Sequence, residues 1–164
     1  IPEWAAGTSV KVYGEVYDHP ITPGSYVKLE RSWSPGDTVE IEFPMENRLV
    51  QSHPLVEENR NHVAVMRGPV VYCLEDADLP KGVKATEIHF PTDLHIQAEF
   101  SSDTLGGVTT LAMEACRVID PTPTDRLYSD YRALTTENVT IKMIPYYAWA
   151  NRGVSEMAVW IPIK

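Results

Sequence analysis

The sequence predicts an all-β chain, with one complete antiparallel β-sandwich at the C-terminal end preceded by part of a second. Three observations carry that prediction. Segments of strict polar/apolar alternation recur along the 164 residues, rich in β-branched and aromatic side chains. Turn chemistry punctuates them, drawn from 13 Pro and nine Gly scattered through the chain. No stretch sustains the 3.6-residue period of an amphipathic helix.

The elements follow in order. Residues 9–13 alternate, as do 26–30 and 38–43. Between the last two, Pro35-Gly36 suits the central positions of a type II turn, with Gly36 taking the positive φ. That predicts a hairpin of 25–34 with 38–43. Further strands are expected at 62–66, 70–74, 95–100, 108–112, 139–144 and 156–161. Residues 124–134 could carry one short helical turn, with Tyr128 and Tyr131 three apart. Trp33 and Trp160 lie in alternating segments and read as core; Trp4 reads as core or as part of an exposed face. The polar, turn-rich segment 53–61 marks the expected division, giving domains 1–61 and 62–164. Only three or four strands precede it, against roughly seven in a sandwich. The first part therefore reads as half a sandwich, with its partner strands expected upstream of Ile1. Its apolar face, along Val10, Val12, Val27, Leu29, Val39 and Ile41, should then meet solvent.

Composition narrows the function classes. A net charge of −9 and a pI near 4.9 oppose a phosphate backbone or an anionic membrane surface, so no nucleic acid and no membrane are expected as partners. No apolar run approaches the roughly 20 residues that span a bilayer, and no basic-then-apolar leader opens the chain. The expectation is a soluble protein, the cytoplasm favoured. Cys73 and Cys116 are too few for a disulfide scaffold and too far apart for a CxxC motif. They read as buried small hydrophobes, a single bridge between them remaining open. His19, His53, His62, His89 and His95 form no HxH or HExxH pattern, so no metal site is expected. Glu57 and Glu58 are adjacent in the turn-rich segment and read as a solvated loop, not a catalytic pair.

One run stands out chemically. Within 144–153, Tyr146, Tyr147 and Trp149 lie beside Asn151, Arg152 and Gly153. On an extended backbone Tyr147 and Trp149 would share one side. Rings backed by an amide and a guanidinium suit a sugar-binding or domain-docking surface. Tyr146, Tyr147, Trp149, Asn151 and Arg152 are the candidate site residues; no catalytic residue is assigned.

The same run resembles the C-terminal signature of glycoside hydrolase family 127, the β-L-arabinofuranosidase type. Other markers in order are Ile1 to Ala5, then Tyr26 through Arg31 to Trp33, Pro35 to Asp37 with Pro44 and Met45, Arg67 to Glu75, Leu105 to Gly107, and Met157 to Pro162. The resemblance implies the β-sandwich region that follows an (α/α)6-barrel catalytic domain. It places a cysteine nucleophile, a zinc ion and an acid/base glutamate in that barrel, where no position of this chain matches. The chain alone is expected to be inactive and to hold no cofactor. Cys73, in an apolar strand, is not the nucleophile; burial should make it inert. The implied role is an accessory region bracing the barrel of the same protein, with Arg152 pairing to a carboxylate there. Arabinose-containing glycans are the implied ligand. The rival readings are a free-standing carbohydrate-binding module, with two coplanar exposed rings, and a structural domain that forms a homodimer.

Overall fold

The structure is a computed structural model that describes residues 1–119, 128, 130 and 133–164. Among these, helical structure is confined to four 3₁₀ turns of three residues. Everything else regular is strand, and every pairing between strands is antiparallel where its register is resolved. The all-β expectation holds. The short helical turn expected at 124–134 lies outside the described residues.

The chain divides into two compact units, Ile1–Glu46 with Arg67–Pro69, and Asn47–Met66 with Val70–Lys164. Unit 1 contains β1 (Ser9–Val12), β2 (Glu15–Val16) and β3 (Val39–Glu42), in the order β2-β1-β3. Val10 lies opposite Ile41 and Val12 opposite Val39, so the apolar residues of the two strands share one face. The expected turn is present: the Asp37 N–H donates to Ser34 O at 3.1 Å, and Gly36 has φ +94°. The expected hairpin is not. Residues 25–34 form no strand, and β3 pairs with β1 instead. A two-residue type II turn splays its flanking strands, because its twist opposes theirs. Trp33, expected in a core, is 49% exposed, with the Arg31 guanidinium 5.0 Å from its ring. Trp4 is half-buried and meets Phe43 at 5.8 Å between centroids. The exposed-face expectation is met in part: Val39 and Ile41 are exposed, Val12, Val27 and Leu29 are half-buried, and Val10 is buried.

Unit 2 contains β4 (Asn47–Gln51), β5 (His62–Arg67, its last residue counted with unit 1), β6 (Val70–Glu75), β7 (Ile88–His89), β8 (Gln97–Ser101), β9 (Val108–Ile119), β10 (Thr135–Pro145), β11 (Met157–Ala158) and β12 (Ile161–Pro162). The strand order is β12-β5-β6-β10-β9-β7, with β4 on β5, β11 on β6 and β8 on β9. Because β4 pairs with β5, the residues ahead of the turn-rich segment 53–61 count with unit 2. β10 is shared between layers: residues 135–143 pair with β9, while Ile144 and Pro145 pair with β6. Leu111–Met143, Met113–Ile141 and Ala115–Val139 face each other in register, and all six side chains are buried. They pack against Val63, Val65, Tyr72 and Leu74 of β5 and β6 in one core cluster. Strand alternation turns Cys73 and Glu75 away from that core. There Cys73 joins a second cluster with Val108, Ile144 and Ala148.

Cys73 lies opposite Ile144 and Cys116 opposite Asn138, six residues along β10, which is about 20 Å of strand. A disulfide requires Cα atoms within roughly 7 Å. Both are free thiols, which closes the question of a bridge.

Candidate functional site

Pro145 ends β10 without an N–H to extend the ladder, and the chain turns into 3₁₀ geometry at Tyr146–Ala148. The Trp149 N–H donates to Tyr146 O at 3.1 Å. A 3₁₀ turn brings residues i and i+3 into line. Tyr146 and Trp149 are therefore the pair that meets, 6.0 Å between centroids with planes 21° apart. The expectation that Tyr147 shares a side with Trp149 assumed an extended backbone and is corrected. Ala148 is buried in the second core cluster and roots the turn there. The rings stay in solvent: Tyr146 is 45%, Trp149 39% and Tyr147 71% exposed.

A buried carboxylate holds the turn from below. Glu75, the last residue of β6, is 1% exposed. Its Oε1 accepts the N–H of Ala150 at 3.1 Å, and Ala150 has φ +64°, rare for a residue with a Cβ. Its Oε2 accepts a close hydrogen bond from Arg152 Nη2. Arg152 also reaches Asp78 in the 3₁₀ turn Asp76–Asp78, with Nη1–Oδ1 at 2.7 Å and a second bond from Nη2 to Oδ2. A carboxylate this deep is tolerable only with such partners. The hydrogen bond to Asp78 is the main influence raising the Arg152 pKa above its ordinary value; burial opposes it, and Glu75 adds to it. Arg152 was expected to pair outside the chain. Its carboxylates are internal, because Glu75 ends its strand directly beneath the turn.

Asn151 donates from Nδ2 to the carbonyls of Ala148 and Trp149, at 3.0 and 3.2 Å. On the Tyr147 side lies a groove of about 460 Å³, lined by Tyr147, Ala148, Asn151, Leu105, Gly107 and Val108. Leu105, Gly106 and Gly107 are three successive left-handed residues, at φ +53°, +79° and +106°. The φ of Gly107 favours glycine, and a Cβ there would also crowd Phe100 Cζ at 3.2 Å. Three runs distant in sequence, 73–75, 105–108 and 144–152, thus meet at one place.

Sequence reasoning found the rings, Asn151 and Arg152 but missed Glu75, Asp78 and the opposite wall. A signal for Glu75 was available: it is a lone carboxylate closing an apolar strand.

Among the described residues no three His, Cys, Asp or Glu side chains gather into a set that could hold a metal ion. Burial first, then the charges of Glu75 and Asp78, push the Cys73 thiol up to about 12. A protonated, enclosed thiol supplies neither a metal ligand nor a nucleophile. Neither the described His, Cys, Asp and Glu side chains nor Cys73 fit the zinc and cysteine chemistry that the resemblance places in the barrel. Among the described residues no helix is long and apolar enough to cross a membrane.

Comparison with known proteins agrees with this architecture. Residues 47–162 match the glycoside hydrolase family 127 C-terminal domain. Residues 1–45 match the β-L-arabinofuranosidase GH127 middle domain. A non-reducing end β-L-arabinofuranosidase of Bifidobacterium longum subsp. longum is 33% identical over 98% of this chain and 25% of its own length. The crystal structure of Ara127N, a GH127 β-L-arabinofuranosidase from Geobacillus stearothermophilus T6, superposes with a TM-score of 0.85 at 39% identity, over 100% of this chain and 26% of that one. A structure described as a glycoside hydrolase gives 0.87 at 36% identity, over 99% and 27%. The chain thus spans about a quarter of the length of these relatives. It belongs to glycoside hydrolase family 127, corresponding to the middle and C-terminal domains of that family.

Proposed function

We propose that this chain is a non-catalytic accessory region of a β-L-arabinofuranosidase-like glycoside hydrolase. Its role is to brace the catalytic barrel of the same protein and shape one rim of the substrate site. The observation that carries this reading is the match of the chain to the middle and C-terminal domains of the family, over about a quarter of its relatives' length, and the Tyr146–Trp149 pair is the candidate contact. Two rings are held nearly parallel in solvent by a turn anchored on the buried Glu75–Arg152 pair. Exposed aromatics on a rigid mount lose little conformational entropy when covered, which suits a permanent docking contact. The nucleophile, the acid/base and any zinc belong to the barrel.

The test has two parts. The 164-residue chain alone should not hydrolyse an aryl β-L-arabinofuranoside and should retain no stoichiometric zinc. Grafted in place of the matching region of the Bifidobacterium longum enzyme, it should support turnover. In that graft Tyr146→Ala with Trp149→Ala should lower the temperature at which activity is lost. Turnover by the chain alone that depends on Cys73 or a local glutamate would overturn the reading. So would a double variant whose graft is as heat-resistant as the parent graft.

A further inference from the structure

The groove beside Tyr147 has the materials of a ligand site separate from the stacked pair. The 3₁₀ turn divides the aromatic run: Tyr146 and Trp149 align at spacing three, while Tyr147 projects to the other side and lines the groove. Its ring is 71% exposed, so one face is open to a partner. The opposite wall is backbone and aliphatic surface from 105–108. That wall is held in left-handed geometry at Leu105, where a Cβ makes such a conformation costly. The Gly107 N–H to Thr104 O bond, at 2.9 Å, and the Ser101–Thr104 hydroxyl pair, at 2.7 Å, fix the loop. The groove volume falls within the roughly 300–1,000 Å³ usual for small-molecule sites.

Charge and polarity narrow the ligand. In a chain of net charge −9, none of the six lining residues is charged. The nearby Arg152 is committed to Glu75 and Asp78. Among the lining residues an anion would find no cation and a cation no carboxylate. Asn151 spends both Nδ2 contacts on its own turn, which leaves Oδ1 as an acceptor with no partner among the described residues. An aromatic face, an aliphatic wall and an oriented acceptor match a ligand with a C–H face and hydroxyl donors. We propose that this groove takes one neutral sugar residue, its apolar face on Tyr147 and a hydroxyl donating to Asn151 Oδ1. The inference rests on the reading of the chain as part of a glycoside hydrolase, which supplies the occasion for a sugar to be near.

The experiment is a two-dimensional amide NMR titration of the 164-residue chain. L-arabinose and D-galactose are the neutral probes, and D-galacturonate is the anionic one. A neutral probe should give saturable shifts at Gly106, Gly107, Val108, Ala148 and Asn151, with galacturonate weaker. Tyr147→Ala, an exposed position, should weaken binding about tenfold with the remaining spectrum unchanged, while Tyr146→Ala should leave it within about twofold. No saturable shift with either neutral probe up to its solubility would overturn the proposal. So would shifts confined elsewhere, or affinity indifferent to Tyr147→Ala. These outcomes are separable from failure of the docking reading, which is read on Tyr146 and Trp149 in the grafted enzyme.

Discussion

In unit 2, Leu111, Ile141, Met143 and Leu74 are at most 1% exposed. In unit 1, the same alternation on β3 leaves Val39 at 39% and Ile41 at 50%. Both stretches are written in the same period-two code, and both put their apolar residues on one face of an antiparallel pair. The difference is a second layer. Unit 2 supplies it from its own strands, its nine-stranded sheet closing β5 and β6 on β9 and β10 around one core; unit 1 provides one three-stranded sheet. Alternation decides which side chains share a face, and only a facing layer decides whether that face is dry.

Truncation at one apolar position in each sheet should separate the units most sharply. Leu111→Ala, in the middle of the unit 2 core, should cost about 3–5 kcal/mol in a denaturant melt. Ile41→Ala, half-exposed on β3, should cost less than about 1 kcal/mol. Similar costs at the two positions would mean that unit 1 has a core equivalent to that of unit 2.

The ion pair under the turn comes next. Arg152→Ala strands Glu75 in a buried site, and the expected cost is about 2 kcal/mol, below the usual buried-pair figure because Arg152 is a quarter exposed. The loss should appear in the unit 2 transition and loosen the 146–152 turn, seen as faster exchange of the Ala150 amide. An unchanged melt would show that Glu75 finds water or another donor.

Cys73 gives a smaller, pH-dependent contrast. Its thiol is raised from 9.0 to about 12, first by burial and then by Glu75 and Asp78. The folded chain therefore keeps a proton between pH 9 and 12 that the unfolded chain releases. This contribution to stability is complete below pH 9 and declines as pH rises through that window. Cys73→Ala should flatten the alkaline fall relative to the parent chain. Unit 1 contains no cysteine, so its protection should follow the same alkaline course in both.

Much of this was legible in the residues. Alternation located β1, β3, β5, β6 and the longer strands, and the aromatic run located the rings of the site. Local pattern failed where geometry beyond it took over. Residues 26–30 alternate yet form no strand, because a type II turn at Pro35-Gly36 does not twist two strands into register. β4 was missed because Asn47, Arg48 and Gln51 mask its short apolar pair, yet it pairs with β5. At the site, spacing gave the rings but not their grouping, since 3₁₀ geometry replaced extended backbone after Pro145. That Glu75 would pair with Arg152, 77 residues away, was invisible to any local reading.

Native-state hydrogen exchange of the 164-residue chain tests most directly the claim that unit 2 carries its fold through its own two layers and unit 1 does not. Amides in the paired segments of β9 and β10, around Leu111 and Met143, should exchange only through global unfolding. Those joining β1 and β3, around Val10 and Ile41, should open locally and exchange orders of magnitude faster. Equal protection in the two sheets would contradict the account.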